Sequence, residues 1–127
     1  MKHLVLLCVM LLNTACAAEF TKESLLVDIG VIQTMLSKDE NTVKFFHQYI
    51  NPAQLKAAAK TDAEIEEMVK VFNESEKKTL LRELLTKIDP DKLIVDDAAK
   101  TMSAPSPLPG GRAMVFSFID SRWYMNN

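Results

Sequence analysis

Cysteine is nearly absent. Two thiols occur in 127 residues, Cys8 and Cys16, and both lie inside the first sixteen positions. A disulfide framework is therefore closed to everything downstream, and the fold has to stand on its apolar core. Histidine is as sparse, with only His3 and His47, so a zinc centre lacks its usual nitrogen and sulfur donors. The three glycines are Gly30, Gly110 and Gly111, and none opens a glycine-rich loop ahead of a helix, which excludes a phosphate cradle of that kind. Basic residues do not outnumber acidic ones: 15 Lys and Arg face 17 Asp and Glu. That balance argues against a nucleic-acid surface or a polybasic membrane patch.

The longest apolar run is Leu-Val-Leu-Leu-Cys-Val-Met-Leu-Leu at 4–12, behind Lys2 and His3 and ahead of Asn13, Thr14 and the small residues Ala15-Cys16-Ala17-Ala18. At ~1.5 Å per residue it reaches ~14 Å, about half a bilayer core. The order of a basic tip, a short apolar stretch and small residues is that of a secretory signal. The expectation is a signal peptide at 1–18 and a single domain at 19–127, placed in the periplasm or secreted. Thr14-Ala15-Cys16 also has the form of a lipobox end, although Asn13 stands where leucine is preferred. Lipidation of Cys16, anchoring the protein in the cell envelope, is the alternative, and it is the one route by which the chain would meet a membrane.

Beyond 18, apolar residues fall at helical spacing. Leu25, Ile29, Ile32 and Leu36 share one face, with Leu26, Val31 and Met35 widening it, which predicts a helix over 22–37. A strand competes there, because Leu25, Val27, Ile29 and Val31 also alternate. A second helix is expected over 42–50. Asn51-Pro52 then restarts the chain into a short helix to 59. Thr61 and Glu64 have capping-box spacing ahead of a helix to about 73 with Ile65, Met68, Val69 and Phe72 inward. Ser75 caps a last helix over 76–87, with Leu80, Leu81, Leu84, Leu85 and Ile88 inward, and Asp89-Pro90-Asp91 stops it.

After residue 93 the pattern changes. One strand is expected within 93–102 and a loop over 103–111, which holds three prolines and two glycines. The segments 112–119 and 122–125 read as a hairpin around Asp120-Ser121. That turn pairs Ile119 with Arg122, Phe118 with Trp123, Ser117 with Tyr124 and Phe116 with Met125. Met114, Phe116, Phe118, Trp123 and Met125 then share an apolar face. The fold class is α+β: four to five N-terminal helices packed on a small antiparallel sheet of about three strands.

Three stretches carry a resemblance. They are Phe-Phe-His-Gln-Tyr-Ile-Asn-Pro-Ala-Gln-Leu at 45–55, Phe72 with Lys-Thr-Leu-Leu-Arg-Glu-Leu-Leu at 78–85, and Met-Val-Phe-Ser-Phe-Ile-Asp-Ser-Arg-Trp-Tyr-Met-Asn at 114–126. Together they resemble small exported bacterial proteins of unknown function related to the NTF2-like, cystatin-like α+β group. The resemblance implies helices on a curved sheet whose last hairpin ends in an Asp-Gly-x-Trp-Tyr-like turn. Ser121 stands here where glycine is usual. The wider group includes enzymes, binding modules and passive partners, so the resemblance speaks to fold more than to function.

No catalytic, metal or cofactor constellation emerges from the sequence. His47 has no acid or nucleophile beside it, and Asp96-Asp97 lacks calcium-loop spacing. The residues left for recognition are Ser117, Arg122 and Tyr124, on the outer face of the hairpin beside the proline-rich loop. The expected function is a non-enzymatic binding or interaction module, whose partner is an unknown protein or a small apolar ligand. An inhibitor or immunity-type protein against a secreted enzyme is the alternative, followed by a small NTF2-like enzyme.

Overall fold

The computed structural model describes residues 18–126. The expected leader lies outside them apart from Ala18, and so does the lipidation candidate Cys16. Helix α1 spans Lys22–Leu36. Thr21 caps it, its hydroxyl accepting from the Ser24 amide at 3.1 Å. Leu25, Ile29, Ile32 and Leu36 are buried, while Val27 is 67% exposed. The helical period therefore wins over the alternating one. Val31, expected inward, is exposed as well, because it lies one turn along from Val27 on the solvent side.

A 3₁₀ turn at Asp39–Asn41 leads into α2, Thr42–Tyr49, which buries Thr42, Phe45, Phe46 and Tyr49 and leaves His47 exposed. Helix α3, Pro52–Ala58, opens as its sequence predicts: Pro52 takes the first helical position and the Asn51 side chain accepts from the Ala53 amide. Helix α4 spans Asp62–Glu74, capped by the Thr61 hydroxyl on the Glu64 amide, and α5 spans Glu76–Thr86, capped by Ser75. Each such cap is worth about 1 kcal/mol. A second 3₁₀ turn at Pro90–Lys92, capped by Asp89, ends the helical half. Helix α1 packs on α2 and α5, and α2 on α4.

The last helix corrects the reading of its face. Leu80 is 44% exposed, and Lys78 is buried instead. The Lys78 ammonium donates to Asp39 Oδ1 at 2.5 Å, Asn73 Oδ1 at 3.0 Å and Thr42 Oγ1 at 3.2 Å. All three N–H bonds are used, so the charge is tolerated inside. Its aliphatic stem takes the interior place that Leu80 does not.

Four strands follow, one more than expected: β1 Ile94–Asp96, β2 Thr101–Ala104, β3 Met114–Ile119 and β4 Arg122–Met125, antiparallel in the order β1-β2-β3-β4. The Asp96-Asp97-Ala98-Ala99 stretch divides the expected single strand in two. Its turn is closed by Asp96 Oδ1 accepting from the Ala99 amide at 3.0 Å. Ser103 and Ala104, expected in the loop, extend β2 because Val115 and Met114 pair with them. The β3–β4 register is the one derived from the sequence, Phe118 opposite Trp123 and Phe116 opposite Met125. Both loop residues have positive φ, Asp120 at 50° and Ser121 at 64°. That conformation matches the right-handed twist of the flanking strands.

Direct pairing puts residues in rows on alternate faces. Val95, Met102, Phe116 and Met125 form a row toward the helices, and Asp96, Thr101, Ser117 and Tyr124 form a row away from them. Phe116 and Trp123 are among the most deeply buried side chains of the molecule.

Candidate functional site

Helix α4 turns one stripe toward a gap in the helical layer. Glu64, Glu67, Met68, Val71 and Phe72 fall at i, i+3, i+4, i+7 and i+8, so they stand on one side of the helix. With them a groove of about 730 Å³ opens between α3, α4 and α5 and the Met114 and Met125 end of the sheet. Its floor is aromatic. Phe46 meets Phe72 edge-on with ring centroids 5.5 Å apart, and Phe45 stacks on Phe72 at 6.4 Å. Met68, Met114 and Met125 supply flexible, polarizable walls, joined by Ile50, Leu55 and Leu81.

The space stays open for a local reason. Helix α3 is short and presents Gln54, Leu55 and Ala58 to the groove, and only Leu55 of these is both large and apolar. Val71, at the mouth, is 60% exposed. The polar lining groups are Gln54 from α3, Glu64 and Glu67 from α4, Ser75 and Lys77 around the start of α5, and Asn126 after β4.

The three residues expected to recognise a ligand lie elsewhere. Ser117, Arg122 and Tyr124 do share the outer face of the sheet, as the register requires. The Arg122 guanidinium sits 5.8 Å from the centre of the Tyr124 ring. Ser117 is buried and donates to Asn126 Oδ1 at 3.0 Å, an oxygen that also accepts from Asn51 Nδ2 at 2.9 Å. None of the three lines the groove. The proline-rich loop does not border Arg122 either. It joins Ala104 to Met114, whereas Arg122 follows the turn at the far end of β3, six residues or about 20 Å away.

A polar junction between α1, α2 and β4 is the place where protonation is perturbed. The Tyr49 hydroxyl donates to Asp28 Oδ1 at 3.4 Å. Burial raises the Asp28 carboxyl above its ordinary value, against the opposing pull of that hydrogen bond and of the Arg122 charge. Burial also pushes Tyr49 up to about 12, with the Asp28 charge adding to it. Among the described residues no three His, Cys, Asp or Glu side chains gather as metal ligands, and no helix is long and apolar enough to cross a membrane.

No family model matches this chain, and neither a curated protein nor a solved structure was found to resemble it. The likeness to the NTF2-like group therefore rests on the quoted residues alone. The sequence does not announce the groove, because Met68 and Phe72 read as core positions. One signal was available: Glu64 and Glu67 fall on the same helical stripe as Met68 and Val71. Acids at core spacing mark a face that another element does not fully cover.

Proposed function

We propose that this protein is a non-enzymatic binding module, exported to the cell envelope, whose groove receives the apolar side chains of a partner polypeptide. The observation that supports this reading is the groove of about 730 Å³ with its floor of Phe45, Phe46 and Phe72 and its walls of Met68, Met114 and Met125. Its volume is in the range of concave recognition sites. An apolar hollow left open to water costs free energy that an occupant recovers. Methionine walls suit an occupant that must be accommodated rather than matched atom for atom.

The test uses Nile red, an uncharged dye that brightens in apolar surroundings, with two substitutions at solvent-exposed lining positions. Ala58→Trp fills the groove and Val71→Glu places a charge at its mouth. The native protein is expected to brighten the dye saturably. Both variants should lose most of that signal while melting within a few degrees of the native protein. Native-level dye binding by both well-folded variants would remove the groove as the binding site.

A further inference from the structure

We infer that the occupant is a cationic amphipathic helix, laid along α4 with its apolar face in the groove and its basic residues against Glu64 and Glu67; this rests on the reading of the groove as a polypeptide site. Two features of the lining lead to it.

The first is hydrogen bonding. The groove meets the sheet at Met125 and Asn126, where the backbone is already engaged. The Asn51 amide donates to Met125 O at 2.8 Å, and the Asn126 amide donates to Val115 O at 2.9 Å. No strand edge is offered there for an extended chain to pair with. An extended peptide would carry its N–H and C=O groups into an apolar trough and leave them unpaired, at a cost that opposes binding. A helix satisfies its own backbone and presents apolar side chains at i, i+3, i+4 and i+7. The stripe from Glu64 to Ser75 runs about 16 Å at ~1.5 Å per residue, three turns of a partner helix.

The second is charge. Helix α4 carries Asp62, Glu64, Glu66, Glu67 and Glu74 against a single Lys70. Two of these acids stand on the groove wall itself, beside Met68 and Val71. Glu64 has a local duty, since its amide and Oε1 both lie within reach of the Thr61 hydroxyl at the helix cap. Glu67 has no such duty. It is exposed and makes no ion pair or side-chain hydrogen bond among the described residues. A free carboxylate next to an apolar floor favours a partner that is apolar on one side and basic at its flank, and disfavours the acidic counterpart. Lys77 lies beyond Phe72 on the α5 side, so the acidic character belongs to the Glu64 end.

The experiment compares two labelled model peptides of about 14 residues on one amphipathic pattern, one with Leu and Lys, the other with Leu and Glu, by fluorescence anisotropy. The Lys peptide is expected to bind about tenfold or more tightly at low salt, and the gap should shrink as salt rises and the Debye length falls from ~10 Å toward ~3 Å. Glu67→Lys should weaken the Lys peptide by roughly three- to tenfold and strengthen the Glu peptide, while melting within a few degrees of the native protein. Ala58→Trp should abolish binding of the Lys peptide. Equal binding of both peptides, or indifference to Glu67→Lys, with Nile red still in the groove, would overturn the cationic partner and leave the groove reading standing. Lys-peptide binding that survives Ala58→Trp, or neither peptide binding while Nile red does, would overturn the inference as well. Loss of the dye site itself would remove the earlier reading with it.

Discussion

The indole Nε1–H of Trp123 donates to the Ser24 hydroxyl at 2.8 Å, tying the last strand to the first helix across 99 residues of sequence. The ring also stacks on Phe20, with centroids 5.6 Å apart, and packs against Phe118 at 5.0 Å. The Lys100 ammonium lies 4.7 Å over the outer partner, Phe20. One side chain thus joins the N-terminal segment, α1 and the hairpin. It is 2% exposed.

Trp123→Ala should therefore cost ~3–5 kcal/mol, the range for truncating a buried large aromatic. Tyr124→Ala, one residue along on the opposite face and only half-buried, should cost much less. Against a total stability of ~5–15 kcal/mol, the first change unfolds a sizeable share of molecules and the second does not. Urea unfolding of both variants reads the difference. A larger loss for Tyr124→Ala would place the wrong face of β4 against the helices.

Ser121 holds φ 64° without being glycine. A left-handed conformation costs an L-residue about 1 kcal/mol, from which glycine is exempt at the expense of a floppier unfolded chain. Ser121→Gly should raise stability by a few tenths to about 1 kcal/mol. Ser121→Val, with a branched Cβ in the same conformation, should lower it. An unchanged urea midpoint for both variants would mean that the turn does not hold this geometry in solution.

The Asp28 carboxyl is raised above its usual 3.8, chiefly by burial. The folded state then binds this proton more tightly than the unfolded chain, so stability falls as pH rises from about 4 through the folded pKa. Asp28→Asn cannot ionise. Relative to the native protein it should gain stability as pH rises from about 4 and hold that gain once the folded carboxyl has ionised. For Tyr49, pushed up to about 12 from 10, the same sign predicts a loss between pH 10 and pH 12. Tyr49→Phe should remove that loss. Unfolding midpoints of the three proteins across both ranges give the comparison, and native and Asp28→Asn curves that run parallel from pH 4 up to neutrality would rule out a desolvated carboxyl.

Much of this architecture was legible because it is encoded by neighbours in the chain. Helix starts at Thr61, Ser75 and Asn51-Pro52 depend on a hydroxyl or carboxamide reaching an amide two or three residues on, and local spacing specifies that. The hairpin register was legible for a related reason. A side-chain period of two leaves one alignment that puts Phe116, Phe118, Trp123 and Met125 on a common face. The division of 93–102 into β1 and β2 was not legible. Ser103 and Ala104 are strand only because β3 lies beside them, and Asp96 to Ala99 declares itself a turn only once β1 and β2 pair.

The amino-acid sequence by itself determined the helix starts, the α+β class and the two faces of the last hairpin, since each follows from hydrogen-bonding reach or periodicity within a few residues. Only the tertiary structure decided that Lys78 goes inside while Leu80 stays out, because Asp39, Thr42 and Asn73 come from other parts of the chain to satisfy its three donors. It also decided that Phe46, Phe72, Met68 and Met114 surround a hollow rather than close on one another. A sequence states which side chains avoid water, but whether they fill the space between them depends on how far apart the packed helices and sheet hold them.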